Sequence, residues 1–60
     1  MLLYQLLNTI DRAEHITIKD TNILKNLYQG EKINVNGVNY QSEVTAIYTT
    51  KGKIIIEVCF

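Results

Sequence analysis

His15 is the only imidazole in the chain and Cys59 the only thiol, so nucleophilic or metal chemistry has to begin with these two residues. A thiolate nucleophile depends on a basic neighbour, which requires His15 to lie beside Cys59 in the fold. One His without a second His or Cys at ligand spacing cannot build a zinc site. The carboxylates Asp11, Glu14, Asp20, Glu31, Glu43 and Glu57 are scattered, and no pair has a spacing that compels proximity. They read as solvated surface charge. Gly30, Gly37 and Gly52 stand singly, so no glycine-rich loop is present to cradle a phosphate. No catalytic group, metal or cofactor is expected, and the chain reads as a non-enzyme.

What remains above background is aromatic and polar. Four tyrosines occur in 60 residues: Tyr4, Tyr28, Tyr40 and Tyr48. Tyrosine supplies a large rigid contact area with a polar tip, which suits it to interfaces. Tyr4 and Tyr48 read as half-buried edges of the core. Tyr28 and Tyr40 flank a segment that holds Asn34, Asn36, Asn39 and Gln41 and lacks core-forming repetition. Binding function concentrates in such segments. The expected working surface is therefore residues 28–43, with Tyr28 and Tyr40 as anchors and Asn34, Asn36, Asn39 and Gln41 as polar contacts.

Size and charge limit the partners of such a surface. Sixty residues form one domain, 1–60, and a domain of this size hides only about 60% of the surface its unfolded chain exposes. That leaves no room for an enclosed substrate cavity beside a core. With 47% hydrophobic and 20% charged residues, the chain is too apolar for disorder and too interrupted by charge for a membrane span. Six Lys and Arg balance six Asp and Glu, and each half of the chain is itself neutral. A surface that tracks phosphates needs a basic excess, so nucleic acid is the secondary reading. The Leu-rich start lacks a basic n-region, and Gln5 and Asn8 break its apolar run. A single Cys fits a reducing compartment. A cytoplasmic protein without membrane attachment is expected.

The elements that position these groups follow from periodicity. Leu3, Leu6, Leu7 and Ile10 recur at helical spacing, which predicts an amphipathic helix over 2–13. From His15 the period changes to two, and Ile16 and Ile18 mark a strand over 15–20. After a turn at Asp20-Thr21-Asn22, Ile23 to Gln29 reads as the returning strand, although Leu24 and Leu27 also suit a helical turn. Asn36-Gly37 predicts a type I′ hairpin, with a loop holding one tight turn as the alternative. Residues 43–50 and 53–60 form a second hairpin around Thr50-Lys51-Gly52. In its last strand Ile54, Ile56, Val58 and Phe60 share one face, and Ile55 and Cys59 share the other. The expected fold is α+β: the N-terminal helix packed on a small antiparallel sheet of hairpins. Apolar groups on both sheet faces predict a homodimer, formed through the edge of 53–60 or through Ile55 and Cys59.

The run from the Leu-rich helix into His15-Ile16-Thr17-Ile18-Lys19-Asp20, the return through Leu27-Tyr28-Gln29-Gly30 and the closing Val44–Tyr48 and Lys53–Val58 pair resembles small accessory proteins of phages and prophages of Gram-positive bacteria. The likeness covers most of the chain, and the Asn-Gly turn within 31–43 departs from it. High Ile and Asn content with one Arg matches an AT-rich genome. The resemblance implies a helix on an antiparallel sheet, and an inhibitor or modulator of a bacterial host enzyme or defence system, anti-CRISPR proteins among them. Its partner is then a host protein, bound by surface occlusion. The alternative is a small nucleic-acid-binding or regulatory protein that uses sheet aromatics as a stacking platform.

Overall fold

Two β-hairpins lie side by side, and a parallel pair of strands joins them at the centre of one sheet. A computed structural model describes residues 1–59. The elements are α1 (Leu3–Leu7), β1 (His15–Asp20), β2 (Asn26–Glu31), a 3-10 turn (Lys32–Asn34), β3 (Glu43–Thr50) and β4 (Lys53–Cys59). Strand order is β2-β1-β4-β3. β1 pairs antiparallel with β2 and β3 antiparallel with β4, whereas β1 and β4 run parallel with Ile16 beside Ile54 and Ile18 beside Ile56.

This corrects the expected architecture in two respects: the sheet is mixed, and the helix is a single short element of 5 residues. The helical stripe is real, since Leu3, Leu6 and Leu7 are buried and Ile10 packs against them. The helix stops because local polar groups take over its backbone bonds. Thr9 Oγ1 donates to the Leu6 carbonyl at 2.7 Å, and Asp11 Oδ1 accepts the Ala13 N–H at 2.9 Å. Such side-chain bonds compete with helix continuation. The following carbonyls are then used at long range: Ile33 N–H donates to the Arg12 carbonyl and Lys32 N–H to that of Glu14.

The core lies between α1 and one sheet face, where Leu3, Leu6 and Leu7 meet Ile16, Ile18, Ile56 and Val58. On the opposite face Thr17 and Ile55 stand side by side, with Gln29 and Tyr48 as their outer neighbours in register. Ile55 is only 7% exposed within one chain. Phe60, expected to extend β4 and its core face, lies outside the described residues.

Two turns also differ from expectation. The strand expected at Ile23–Gln29 begins at Asn26, because Leu24 adopts φ 56° and its N–H folds back to the Asp20 carbonyl. No hairpin forms at Asn36-Gly37: Gly37 alone has a positive φ there, whereas a type I′ turn requires it at both positions. The turn with two positive φ values is Lys51-Gly52, between β3 and β4. β4 has strands on both sides, so it offers no edge for pairing with a second copy. Among the described residues no helix is long and apolar enough to cross a membrane.

Candidate functional site

The sheet places the two residues with nucleophilic or ligating potential far apart. Ile16 sits beside Ile54 in the parallel pair, so His15 lies next to Lys53, six positions before Cys59 on β4. At about 3.3 Å per residue this puts His15 and Cys59 roughly 20 Å apart, too far for a base to activate a thiol. Among the described residues no three His, Cys, Asp or Glu side chains gather as a metal centre would require.

A groove forms instead where α1 and its exit meet the 32–40 segment. Its lining is Tyr4, Leu7 and Asn8 on one wall, Ile33, Val35 and Tyr40 on the other, with Arg12 and Lys32 adding charge. Each wall is fixed to the other by backbone hydrogen bonds. Tyr4 N–H donates to the Tyr40 carbonyl at 3.0 Å, and Ile33 N–H donates to the Arg12 carbonyl at 3.0 Å. Tyr40 is braced further, its hydroxyl donating to the Val35 carbonyl at 3.1 Å. The base is apolar, with Leu7 buried and Val35 half-buried against the core cluster. The rim carries large exposed side chains: Tyr4 and Tyr40 are each 41% exposed and Ile33 56%. The groove volume is about 270 Å³. Small-molecule sites run from about 300 to 1,000 Å³ and enclose their ligand, so an open groove of this size suits one or two side chains of a larger partner.

Of the six residues expected to bind a partner, the groove takes only Tyr40. Tyr28 points to the core face, where it is half-buried and its hydroxyl donates to the Glu31 carbonyl. Asn34, Asn36, Asn39 and Gln41 are exposed, and their polar groups largely serve the local chain. Asn39 Oδ1 accepts the Gln41 N–H at 3.0 Å, and Asn36 Nδ2 donates to the Asn34 carbonyl at 3.4 Å. Of the two residues expected to mediate self-association, Ile55 is buried and Cys59 half-buried, with Asn22 Nδ2 3.8 Å from its sulfur.

Ile33, Arg12 and Lys32 went unrecognised in the sequence, and Tyr4, expected as a half-buried edge of the core, is exposed on the groove rim. Tyr4 did carry a signal, since it falls off the Leu3, Leu6 and Leu7 stripe and must point elsewhere. On the open sheet face Tyr48 stands alone among the tyrosines, with its hydroxyl 2.9 Å from Glu57 Oε2. That bond, with some burial and the nearby negative charge, raises the Tyr48 pKa above the ordinary tyrosine value. Stacking of successive bases needs more than one aromatic ring on that face.

No known family, curated protein or solved structure matches the chain.

Proposed function

We propose that this chain is a non-catalytic protein-binding module that acts by covering a surface of its target. The observation that carries the reading is the groove between α1 and residues 32–40, rimmed by Tyr4, Tyr40 and Ile33 and stiffened by backbone bonds between its walls. Rigid aromatic anchors beside an apolar depression are what interface centres are made of. The resemblance to phage accessory proteins suggests the target class: a bacterial enzyme or defence protein met in the host cytoplasm. The test is capture from a bacterial lysate by the native chain and by a Tyr4→Ala/Tyr40→Ala variant, with NMR to verify that the variant is folded. A folded variant should lose the partners that the native chain retains. Identical captured sets would refute the groove as the working surface.

Self-association has its own supporting observation. The sheet has two edges, β2 and β3. On β3 the first turn of the edge is covered by the N-terminus, where Leu2 bridges Glu43 and Val44 N–H donates to the Met1 carbonyl. Beyond it Thr45-Ala46-Ile47-Tyr48-Thr49-Thr50 carries no charge and no Pro, and Ile47 is 49% exposed at the open end of the Ile18–Ile56–Ile47 row. Uncharged edges of this kind invite pairing. Antiparallel pairing of two β3 strands about a two-fold axis hides Ile47 and closes the assembly at two copies. Sedimentation should show a dimer that Ile47→Lys converts to monomer; a native chain that stays monomeric at millimolar concentration refutes it.

A further inference from the structure

Charge on the groove rim has one sign. Arg12 and Lys32 both line it, and no Asp or Glu does. Among the described residues the only ion pair joins the N-terminal amine to Glu43, so neither cation has a carboxylate within 4 Å. In a chain of six positive and six negative groups this separation is local. Asp11 and Glu31 border an adjoining shallow concavity, on the other side of Arg12 and Ile33, and Asp11 Oδ1 is held by the Ala13 N–H. Backbone bonds hold the chain at both cations: the Arg12 carbonyl accepts from Ile33, and Lys32 N–H donates to the Glu14 carbonyl at 2.8 Å.

Resting on the reading that the groove binds protein, we infer that its partner is an acidic segment. It seats one apolar side chain on Leu7 and Val35 between the Tyr4 and Tyr40 rings, and its flanking carboxylates reach Arg12 and Lys32. Guanidinium binds carboxylate through a planar fork, and Lys adds a second positive point charge. Phosphate chemistry is the less suitable match, because two cations on a neutral protein do not make the basic track that nucleic acid or an anionic bilayer requires.

The test uses a pool of synthetic octapeptides, each with a central Phe, Leu or Tyr flanked by Asp and Glu, beside a pool with Asn and Gln at the flanks. Binding is followed by NMR titration of the intact chain at low and high salt. The acidic pool should move the resonances of Tyr4, Leu7, Ile33, Val35 and Tyr40, and replacing its carboxylates by amides should weaken binding roughly tenfold. Raising salt should weaken the acidic pool only. Arg12→Glu/Lys32→Glu should reverse the preference, favouring peptides flanked by Lys. Arg12 and Lys32 anchor the walls through backbone atoms, so these changes should keep the fold, which the dispersion of the variant's NMR spectrum checks. If that variant is unfolded, Arg12→Gln/Lys32→Gln replaces it and should abolish the preference for the acidic pool. Equal binding of both pools would overturn the acidic partner and leave the protein-binding reading standing. No shift with either pool would overturn both. Saturable binding of a dT oligonucleotide or of phosphatidylserine vesicles at the same residues, tighter than the acidic peptides, would overturn the inference in favour of a phosphate ligand.

Discussion

Removing the hydroxyl of Ser42 should make the protein more stable. Ser42 is 1% exposed and, among the described residues, its Oγ has no hydrogen-bond partner. Its backbone is well used, since Ser42 N–H donates to the Asn39 carbonyl at 3.0 Å and its own carbonyl accepts from Leu3 N–H at 2.8 Å. Ser42→Ala keeps both bonds and removes only the stranded oxygen. An unpaired buried hydroxyl costs about 1–3 kcal/mol in proteins. The departing oxygen forfeits a few tenths of a kcal/mol of dispersion contact. The net gain is therefore about 1 kcal/mol or more. At about 2.1 cal/mol/K per residue, the unfolding entropy of a domain this size is roughly 130 cal/mol/K, so that gain raises Tm by about 8 °C. The chain has no Trp, so urea and thermal unfolding are followed by far-ultraviolet circular dichroism and tyrosine fluorescence. A higher urea midpoint at unchanged m-value is the expected result. A loss of about 0.5 kcal/mol or more would refute the reasoning, because it would mean that the hydroxyl finds a partner in solution.

Gly30→Ala should destabilise by about 1–3 kcal/mol, since an L-residue must adopt a rarely populated φ at that position. Gly30 has φ 153°, and an added Cβ would meet Tyr28 Oη at 2.8 Å. Tyr28→Phe has its own cost, the lost hydrogen bond to the Glu31 carbonyl, so urea denaturation is read as the cost of Gly30→Ala in the Tyr28→Phe background. It should be smaller than in the native chain, because the hydroxyl contact is gone, and still present, because the backbone strain remains; no cost in that background would show that strain is absent. For Tyr48, whose pKa is raised first by its hydrogen bond to Glu57, the folded state holds the phenolic proton more tightly than the unfolded state. That contribution is fully present below the ordinary value of about 10 and is lost as pH rises through the folded value. Ultraviolet titration should show the Tyr48 phenol ionising above the ordinary tyrosine value and Glu57→Gln bringing it earlier; an unchanged titration in that variant would contradict the pairing.

Much of the fold was legible as a pattern of inward and outward residues, and little of it as a pattern of neighbours. Alternation located β1 and the β3–β4 hairpin because a half-buried strand must alternate. Alternation does not say which strand lies alongside, so the parallel pairing of β1 with β4 was hidden. One clue was present: Ile54-Ile55-Ile56 is a continuous apolar run, which is the signature of a strand covered on both faces. Read as surplus surface, that run suggested a dimer face. In the structure Ile55 is only 7% exposed within one chain, at the centre of the row Gln29–Thr17–Ile55–Tyr48 on the face away from α1. The helix was over-extended for a related reason. Periodicity reports that Leu3, Leu6, Leu7 and Ile10 face the core, and a short helix followed by a hydrogen-bonded turn satisfies that as well as three helical turns do.

The groove was not legible because its walls come from opposite ends of a long separation in sequence. Tyr4 and Tyr40 meet through a bond between their backbones, and nothing in the spacing of either neighbourhood announces the other. The early end of α1 leaves the 8–14 segment free to turn, and the Arg12 and Glu14 carbonyls in it accept from Ile33 and Lys32, which builds the groove. A 2–13 helix would have carried Arg12 in its last turn, directing its carbonyl along the helix axis. The short helix therefore lets the 32–35 segment close against it, bringing a cation from each side to one apolar depression. The groove and the core share Leu7 and Val35, so its shape is held by the same packing that holds the fold. A binding surface anchored in this way loses little conformational entropy on association, which is what a small chain needs if it is to hold a larger protein.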